Sequence, residues 1–132
     1  MDNGLIFVQM KNILFLFVSF ISIACSQRTS ENTIYVSVKE AKELIISTPI
    51  LQIVDVRTPE EWSQGVIDST LKVNIRDSDF ADKVKLLDKN TPTLVYCKSG
   101  GRSVKATLAM EKFGFTNLYN LLGGYDEYST TK

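Results

Sequence analysis

The chain has 132 residues, of which 44% are hydrophobic, so it can bury the core of one domain with a short additional segment. Its 15 Lys and Arg residues balance its 15 Asp and Glu residues. This balance excludes a field over the whole molecule that would attract nucleic acid, so binding must come from a local site. The sequence contains no histidine, which excludes a Ser-His or Cys-His pair and removes the usual ligand of transition metals. We expect neither a metal ion nor a cofactor, and any nucleophile must be activated by cations or backbone dipoles.

The N-terminal segment has the features of an export signal. Lys11 precedes an uncharged apolar run at residues 13–24, and this run is shorter than the about 20 residues that span a membrane. A small residue then precedes Cys25. This arrangement resembles a bacterial lipoprotein signal, which is cleaved before a cysteine that receives lipid. An ordinary signal and an uncleaved membrane anchor are the alternatives.

These features divide the chain into three parts. We expect a signal peptide at residues 1–24, with Met10 as the true initiator. The polar residues 25–33 then form a tether between the lipid on Cys25 and a single domain at residues 34–132. The protein is therefore predicted to be exported and held by its lipid on the periplasmic side of a bacterial membrane.

Five short apolar runs predict β-strands in the domain. In chain order they cover residues 34–36, 51–54, 71–75, 93–96 and 118–119. The second run has adjacent apolar residues at positions 53–54 and the fourth at 94–96, so apolar side chains fall on both faces, which is typical of strands buried on both faces. Both are therefore expected to be covered by helices.

Helix signals occupy the segments between these strands. Helices are expected after Ser37, Thr58 and Asp79 and at residues 103–113 and 125–128. The first is supported by a capping box, since Glu40 follows its cap by three residues. Because strands alternate with helices, the pattern predicts an α/β domain whose parallel sheet is covered by helices on both faces.

The loop that follows the fourth strand combines a cysteine with glycines and cations. Its residues are Cys97, Lys98, Ser99, Gly100, Gly101, Arg102 and Ser103. Two adjacent glycines permit backbone conformations that other residues avoid, so several N–H groups can point at one spot. The N-terminus of the following helix adds free N–H groups and the positive end of its dipole. Together with the charges of Lys98 and Arg102, these groups predict an anion-binding loop that lowers the pKa of the Cys97 thiol from about 8.5. The alternative is a buried structural cysteine followed by an ordinary glycine turn.

Three motifs make the sequence similar to the rhodanese family of sulfurtransferases. The active loop of that family, Cys-x-x-Gly-x-Arg, is matched at residues 97–102, and its Asp-x-Arg-x-x-x-Glu block is matched at residues 55–61. Residues 120–125 resemble its closing Leu-x-Gly-Gly motif. The similarity covers residues 35–128 and implies a single rhodanese-like domain with a five-stranded parallel sheet. Residues 65–70 depart from the Gly-His-Ile-Pro-Gly-Ala of the family, so the path of that connection is not predicted.

The resemblance implies a double displacement of sulfur. The Cys97 thiolate would take sulfur from an anionic donor such as thiosulfate, release sulfite, and pass the sulfur from its persulfide to cyanide or a thiol. Residues 98–103 would bind the donor, and Asp55 and Arg57 would lie beside the loop as supporting residues. A structural ion pair is the alternative role for these two. If Cys25 carries lipid, Cys97 is the only thiol of the mature domain, so the sulfur must leave to an external acceptor.

Two other functions are compatible with a cysteine loop of this kind. Cysteine phosphatases, some of which share this fold, use Cys-x5-Arg, whereas here the arginine comes one residue earlier and Ser103 occupies its position. The shorter loop favours sulfur, which is smaller than phosphate. The second alternative is a binding module, or a persulfide carrier that depends on a partner. The sequence does not separate a carrier from an enzyme that turns over.

Overall fold

The computed structural model describes residues 32–132. The predicted signal peptide, Cys25 and all but the last two residues of the predicted tether lie outside these residues. The first strand begins at Thr33, one residue before the predicted start of the domain. None of the described helices is long and apolar enough to cross a membrane.

The described residues form strands and helices that alternate along the chain. The strands are β1 (Thr33–Val36), β2 (Gln52–Asp55), β3 (Thr70–Lys72), β4 (Thr93–Tyr96) and β5 (Leu118–Leu121). The helices are α1 (Val38–Ser47), α2 (Pro59–Trp62), α3 (Phe80–Lys85), α4 (Gly101–Lys112) and α5 (Gly124–Thr130). All five strands pair in parallel, in the order β1-β5-β4-β2-β3. The predicted α/β domain with a five-stranded parallel sheet is therefore confirmed.

Side chains of β4 and of the residue after it alternate between the two faces of the sheet. Leu94 and Tyr96 join the core beneath α1 and α5, whereas Val95 and Cys97 join the core beneath α3 and α4. All four are at most 1% exposed. The uninterrupted apolar run is thus a strand buried on both faces, and its alternation turns the Cys97 side chain towards α4.

Local side-chain contacts start the first two helices. At α1, the Ser37 N–H donates to Glu40 Oε2 (2.7 Å) and the Glu40 N–H donates to Ser37 Oγ (3.3 Å), which confirms the predicted capping box. At α2, Pro59 is the first residue, and the Thr58 N–H donates to Glu61 Oε2 (3.0 Å). Glu61 is therefore fixed at the start of α2, which matters for the site described below.

Two strands differ from the predicted lengths by two residues each, more than the single residue added to β1. β3 ends at Lys72, before the predicted end at residue 75, because the Asn74 side chain accepts the Arg76 N–H (3.0 Å) and turns the chain. β5 runs on to Leu121, beyond the predicted end at residue 119, because it pairs with both β1 and β4. Sequence pattern alone does not report these pairing partners.

Two helices also differ from the predictions. The Asp79 side chain, expected to cap α3, makes no capping hydrogen bond and instead pairs with Lys83 (3.0 Å). α4 begins at Gly101, two residues before the predicted start, because the chain enters the helix directly after Gly100. The helical geometry therefore reaches into the cysteine loop itself.

The segment at residues 65–70 is tied to the core despite its unusual sequence. Arg57 Nη2 donates to the Gly65 carbonyl oxygen (2.7 Å), and the Ile67 N–H donates to the Tyr96 hydroxyl (3.1 Å). Ile67 is 2% exposed. The connection is thus held by contacts to β4 and to the end of β2.

Candidate active site

Parallel strands β2 and β4 place the two predicted groups of site residues at one edge of the sheet. Asp55 pairs in register with Tyr96, and the Val56 N–H continues the ladder by donating to the Tyr96 carbonyl (3.0 Å). Arg57 is therefore the second residue after the end of β2, and Cys97 is the first residue after the end of the adjacent strand β4. Ligands of such sheets bind at the carboxyl ends of the strands.

The Cys97 thiol is buried at the base of the loop, with its side chain turned towards α4. It is 1% exposed, and its Sγ accepts the N–H of Gly100 at 3.0 Å. Gly100 has a φ of +108°, a conformation that other residues rarely adopt. This backbone angle lets the chain enter α4 directly after the N–H group that contacts the sulfur.

The pKa of Cys97 lies below its ordinary value. Burial by itself raises the pKa of this thiol, but hydrogen bonds from the Ser103 side chain and from the N–H groups of Ser103, Gly100 and Ser99 outweigh it. The thiolate is thus stabilised by the loop backbone and one hydroxyl, without a histidine.

The Ser103 hydroxyl is placed to satisfy both protonation states of Cys97. Its Oγ lies 2.9 Å from the Gly100 carbonyl oxygen and 3.4 Å from Sγ, and it has one proton to donate. With a neutral thiol, the hydroxyl donates to Gly100 and accepts from the S–H group. With a thiolate, the hydroxyl can rotate and donate to the sulfur. The Ser103 hydroxyl therefore has a hydrogen-bond acceptor in both protonation states of Cys97.

The start of α5 holds the base of the cysteine loop. The Tyr125 N–H donates to the Cys97 carbonyl (2.8 Å), and the Asp126 N–H donates to the Lys98 carbonyl (3.0 Å). Gly124 packs so closely that a Cβ there would overlap the Lys98 carbonyl group. These contacts satisfy the two carbonyl oxygens, and the close approach explains why a glycine occupies position 124 of the Gly-Gly motif.

The two loop cations are arranged differently from the prediction. Arg102 forms a bidentate ion pair with Glu61, with Nη1–Oε2 and Nη2–Oε1 distances of 2.7 and 2.6 Å. This pair lowers the pKa of Glu61 to about 2, and it raises the pKa of Arg102, to which the nearby Cys97 also contributes. Lys98 is exposed. Hydrogen-bond donors are therefore the main groups that stabilise the thiolate, and Arg102 adds its charge from within the ion pair with Glu61.

The two loop glycines are not equivalent, although the prediction treated them as a pair. Only Gly100 has a positive φ, and it makes the contact with Sγ. Gly101 is the first residue of α4, it is exposed, and a Cβ there would meet nothing within 4 Å. The loop therefore requires glycine at position 100 and tolerates a side chain at position 101.

Asp55 and Arg57 form a buried ion pair. Their side chains are 0% and 2% exposed, with an Nη2–Oδ2 distance of 2.6 Å. Burial opposes the charge of Arg57, but the hydrogen bond and charge of Asp55 raise its pKa above the ordinary value. The guanidinium carbon also lies 4.2 Å from the centre of the Tyr125 ring. These contacts join β2 to α5 and favour the structural role that the sequence left open for this pair.

A cleft of about 200 Å³ opens beside the loop, between α2 and α5. Its lining includes the predicted residues Arg57 and Lys98 together with Glu61, Tyr125 and Asp126. The sequence analysis matched Glu61 to the Asp-x-Arg-x-x-x-Glu block but assigned it no role in the site. For Asp126 the sequence offered no signal, because its place depends on how α5 packs against the loop.

Comparison with known proteins assigns the family. The model of the rhodanese-like domain matches residues 37–131, so the chain belongs to the rhodanese-like family. Thiosulfate sulfurtransferase 16, chloroplastic, of Arabidopsis thaliana is 34% identical over 104 residues, which cover 71% of this chain and 85% of that protein. Thiosulfate sulfurtransferase GlpE of Pseudomonas entomophila is 32% identical over 79 residues, covering 60% and 71%.

Solved structures agree with this assignment. The crystal structure of a rhodanese-like domain protein from Staphylococcus aureus superposes with a TM-score of 0.65 at 27% sequence identity. The match covers 72% of this chain and 90% of that one. The shared fold and the sulfurtransferase relatives together support a sulfurtransferase activity for this protein.

Proposed function

We propose that this protein transfers sulfane sulfur from an anionic donor to a thiophilic acceptor through a persulfide on Cys97. The observation that carries the proposal is the buried Sγ, which accepts the Gly100 N–H at 3.0 Å and has a lowered pKa. A thiolate, and not a thiol, is the nucleophile in sulfur chemistry. Donor groups aimed at an anionic sulfur stabilise both the thiolate and the persulfide that replaces it.

In the first displacement, the Cys97 thiolate attacks the outer sulfur of thiosulfate. A new S–S bond forms, the S–S bond of thiosulfate breaks, and its electron pair leaves with sulfite. The enzyme then carries a persulfide whose outer sulfur is anionic. In the second displacement, cyanide or a thiolate attacks that outer sulfur, and Cys97 leaves again as a thiolate.

Free N–H groups at the start of α4 support the anionic outer sulfur. The first backbone bond across this turn is donated by the Val104 N–H to the Gly100 carbonyl (3.3 Å). The N–H groups of Gly101 and Arg102 precede that bond and have no partner within the helix, whereas the Ser103 N–H already donates to Cys97. Such groups bind anions readily, and here they follow the nucleophile directly in the chain.

The primary test measures the mass of the protein after treatment with thiosulfate. We expect a gain of about 32 Da, one sulfur atom, on Cys97 and no gain in the Cys97→Ser variant. Thiocyanate production from thiosulfate and cyanide then measures turnover. Absence of both the mass gain and thiocyanate in a folded protein would refute the proposal.

The alternatives give different results in the same assays. A persulfide carrier gains the sulfur but forms no thiocyanate, and a binding module does neither. A cysteine phosphatase releases phosphate from p-nitrophenyl phosphate in a reaction that Cys97→Ser abolishes. The length of the loop disfavours that activity, because Ser103 occupies the position of the phosphatase arginine.

The proposal includes export and a lipid anchor on Cys25. Its support is the apolar run at residues 13–24 followed by the cysteine. We expect the protein to incorporate labelled palmitate and to sediment with membranes, and the Cys25→Ala variant to lose both properties. A mature protein that retains residues 1–24, or a wild-type protein without label, would contradict this part of the proposal.

A further inference from the structure

The cleft between α2 and α5 contains charges that the sulfur-donor reaction does not use. Its volume of about 200 Å³ suits a ligand of amino-acid size, since drug-sized ligands occupy about 300–1,000 Å³. It adjoins the cysteine loop through Lys98, which follows the nucleophile and lines the cleft. A molecule in the cleft therefore lies next to the loop that would hold the persulfide.

Arg57 contributes a buried cation to the cleft. Its side chain is 2% exposed, and its Nε and Nη2 atoms are engaged by Asp55 and by the Gly65 carbonyl. Within residues 32–132, Nη1 has no hydrogen-bond partner, although Arg57 lines the cleft. Since Nη1 is not among the buried unpaired atoms of these residues, it keeps access to solvent and can donate to an acceptor in the cleft such as a carboxylate. Lys98 adds a second, exposed cation at the same cleft.

Asp126 contributes the opposite charge. Among the described residues its carboxylate forms no ion pair, whereas Glu61, the other acid of the cleft, is held by Arg102. The Asp126 backbone is fixed to the loop, because its N–H donates to the Lys98 carbonyl. The cleft thus presents an available anion and two cations within the space of one small molecule.

We infer that this cleft binds the sulfur acceptor, and that the acceptor is a small zwitterionic thiol of the α-amino acid type. This inference rests on the proposed persulfide on Cys97. The carboxylate of such a thiol would bind Arg57 and Lys98, and its ammonium group would bind Asp126. An anionic donor such as thiosulfate gains nothing from Asp126, which repels it, so the charge pattern distinguishes the acceptor from the donor.

The chemical step is a thiolate exchange without net oxidation. The acceptor thiol loses its proton to solvent, and its sulfur attacks the outer sulfur of the Cys97 persulfide. A bond forms between these two sulfurs, the bond to Cys97 Sγ breaks, and its electron pair stays on Sγ. The products are the acceptor persulfide and the Cys97 thiolate.

The test separates loading of Cys97 from its discharge. Wild-type protein is first loaded with thiosulfate, and the mass gain is recorded. The discharge rate is then measured with cysteine, with cysteamine, which has only the ammonium group, with 3-mercaptopropionate, which has only the carboxylate, and with 2-mercaptoethanol, which has neither. These thiols differ in acidity, so the rate ratio of variant to wild type is calculated for each thiol. Each ratio is then divided by the ratio for 2-mercaptoethanol, which gives the normalised rate.

The variants are Asp126→Asn and the matched control Glu127→Gln, which removes the same charge from the neighbouring residue of α5. Glu127 is exposed and is not part of the cleft lining. We expect Asp126→Asn to lower the normalised rates with cysteine and cysteamine about threefold to fivefold, the size of a partly exposed ion pair. The normalised rate with 3-mercaptopropionate should stay constant or rise, and Glu127→Gln should change none of these rates.

Two results would overturn the inference in distinguishable ways. A normal mass gain with equal effects of Asp126→Asn on all four thiols would reject the zwitterion site and leave the persulfide proposal standing. A wild-type protein that gains no sulfur would reject the persulfide and, with it, the acceptor role of the cleft.

Discussion

The bidentate ion pair between Glu61 and Arg102 should stabilise the fold in a way that depends on pH. Replacement of Glu61 by Gln removes the charge but keeps an oxygen for the Thr58 N–H, because glutamine also serves at this position of a capping box. The variant therefore tests the ion pair with little effect on the start of α2. Glu60→Gln is the matched control, since Glu60 lies in the same turn and is exposed.

The expected magnitude follows from the pKa of Glu61. Arg102, with a smaller contribution from hydrogen bonds of Thr58, lowers this pKa from 4.5 to about 2, a shift that corresponds to at most about 3 kcal/mol of unfolding free energy. About a fifth of each side chain is exposed, at 23% for Arg102 and 20% for Glu61, so solvent screening reduces the contribution to about 1–2 kcal/mol. For a domain of this size, such a loss lowers Tm by about 4–16 °C.

The pH dependence has a definite sign. Because the pKa of Glu61 is lower in the folded state, its contribution is fully present above pH 4.5 and is lost as the pH falls through about 2. Urea unfolding of wild type and of both variants, followed by circular dichroism at pH 6, 4 and 3, measures this. We expect the difference between wild type and Glu61→Gln to shrink with falling pH. A difference that is constant with pH, or equal to that of Glu60→Gln, would refute the reasoning.

Three further predictions concern the loop and its support. Gly100→Ala forces a side chain into a φ of +108°, so it should lower the unfolding free energy by about 1–3 kcal/mol and abolish sulfur loading. Gly101→Ala should change the unfolding free energy by less than about 0.5 kcal/mol. Similar unfolding curves for the two variants would contradict the assigned roles. Ser103→Ala removes a hydrogen-bond donor to the thiolate that is worth about 1.5 kcal/mol. Alkylation of Cys97 by iodoacetamide at pH 6 should therefore slow about tenfold. A pH profile of the alkylation rate that is displaced to lower pH would exclude this role. Asp55→Asn leaves a buried guanidinium without its counter-charge and should lower the unfolding free energy by about 3–5 kcal/mol; a loss below about 1 kcal/mol would show that the pair does not brace the fold.

Much of the fold was predictable because its signals are local. Residues 94–96 are apolar in succession and follow the β-branched Thr93, a pattern that is typical of a strand covered on both faces. Ser37 and Glu40 are three residues apart, so the capping box that starts α1 depends on no distant contact. The end of β3 was less predictable. The β-branched residues Val73 and Ile75 favour a longer strand, whereas Asn74 between them forms a turn.

The candidate site divides in the same way. Cys97, Gly100 and Ser103 lie within seven consecutive residues. The contacts of Gly100 and Ser103 with the Cys97 sulfur therefore follow from the local loop geometry, which the sequence predicts. The partner of Arg102 is 41 residues away, and only the packing of α2 beside the loop brings Glu61 to it. The sequence predicted that backbone N–H groups and both cations stabilise the thiolate, and the structure gives the main part to the hydrogen bonds.

The sequence by itself determined the order of strands and helices, the nucleophile and its loop, because periodicity, caps and glycine spacing act over a few residues. Only the tertiary structure decided which groups surround that loop. The seating of Gly124 against Lys98, the burial of Arg57 beneath Tyr125 and the charges of the cleft all join residues distant in the chain. Such contacts depend on how α2 and α5 pack against the sheet, which is a property of the folded molecule as a whole and of no single segment.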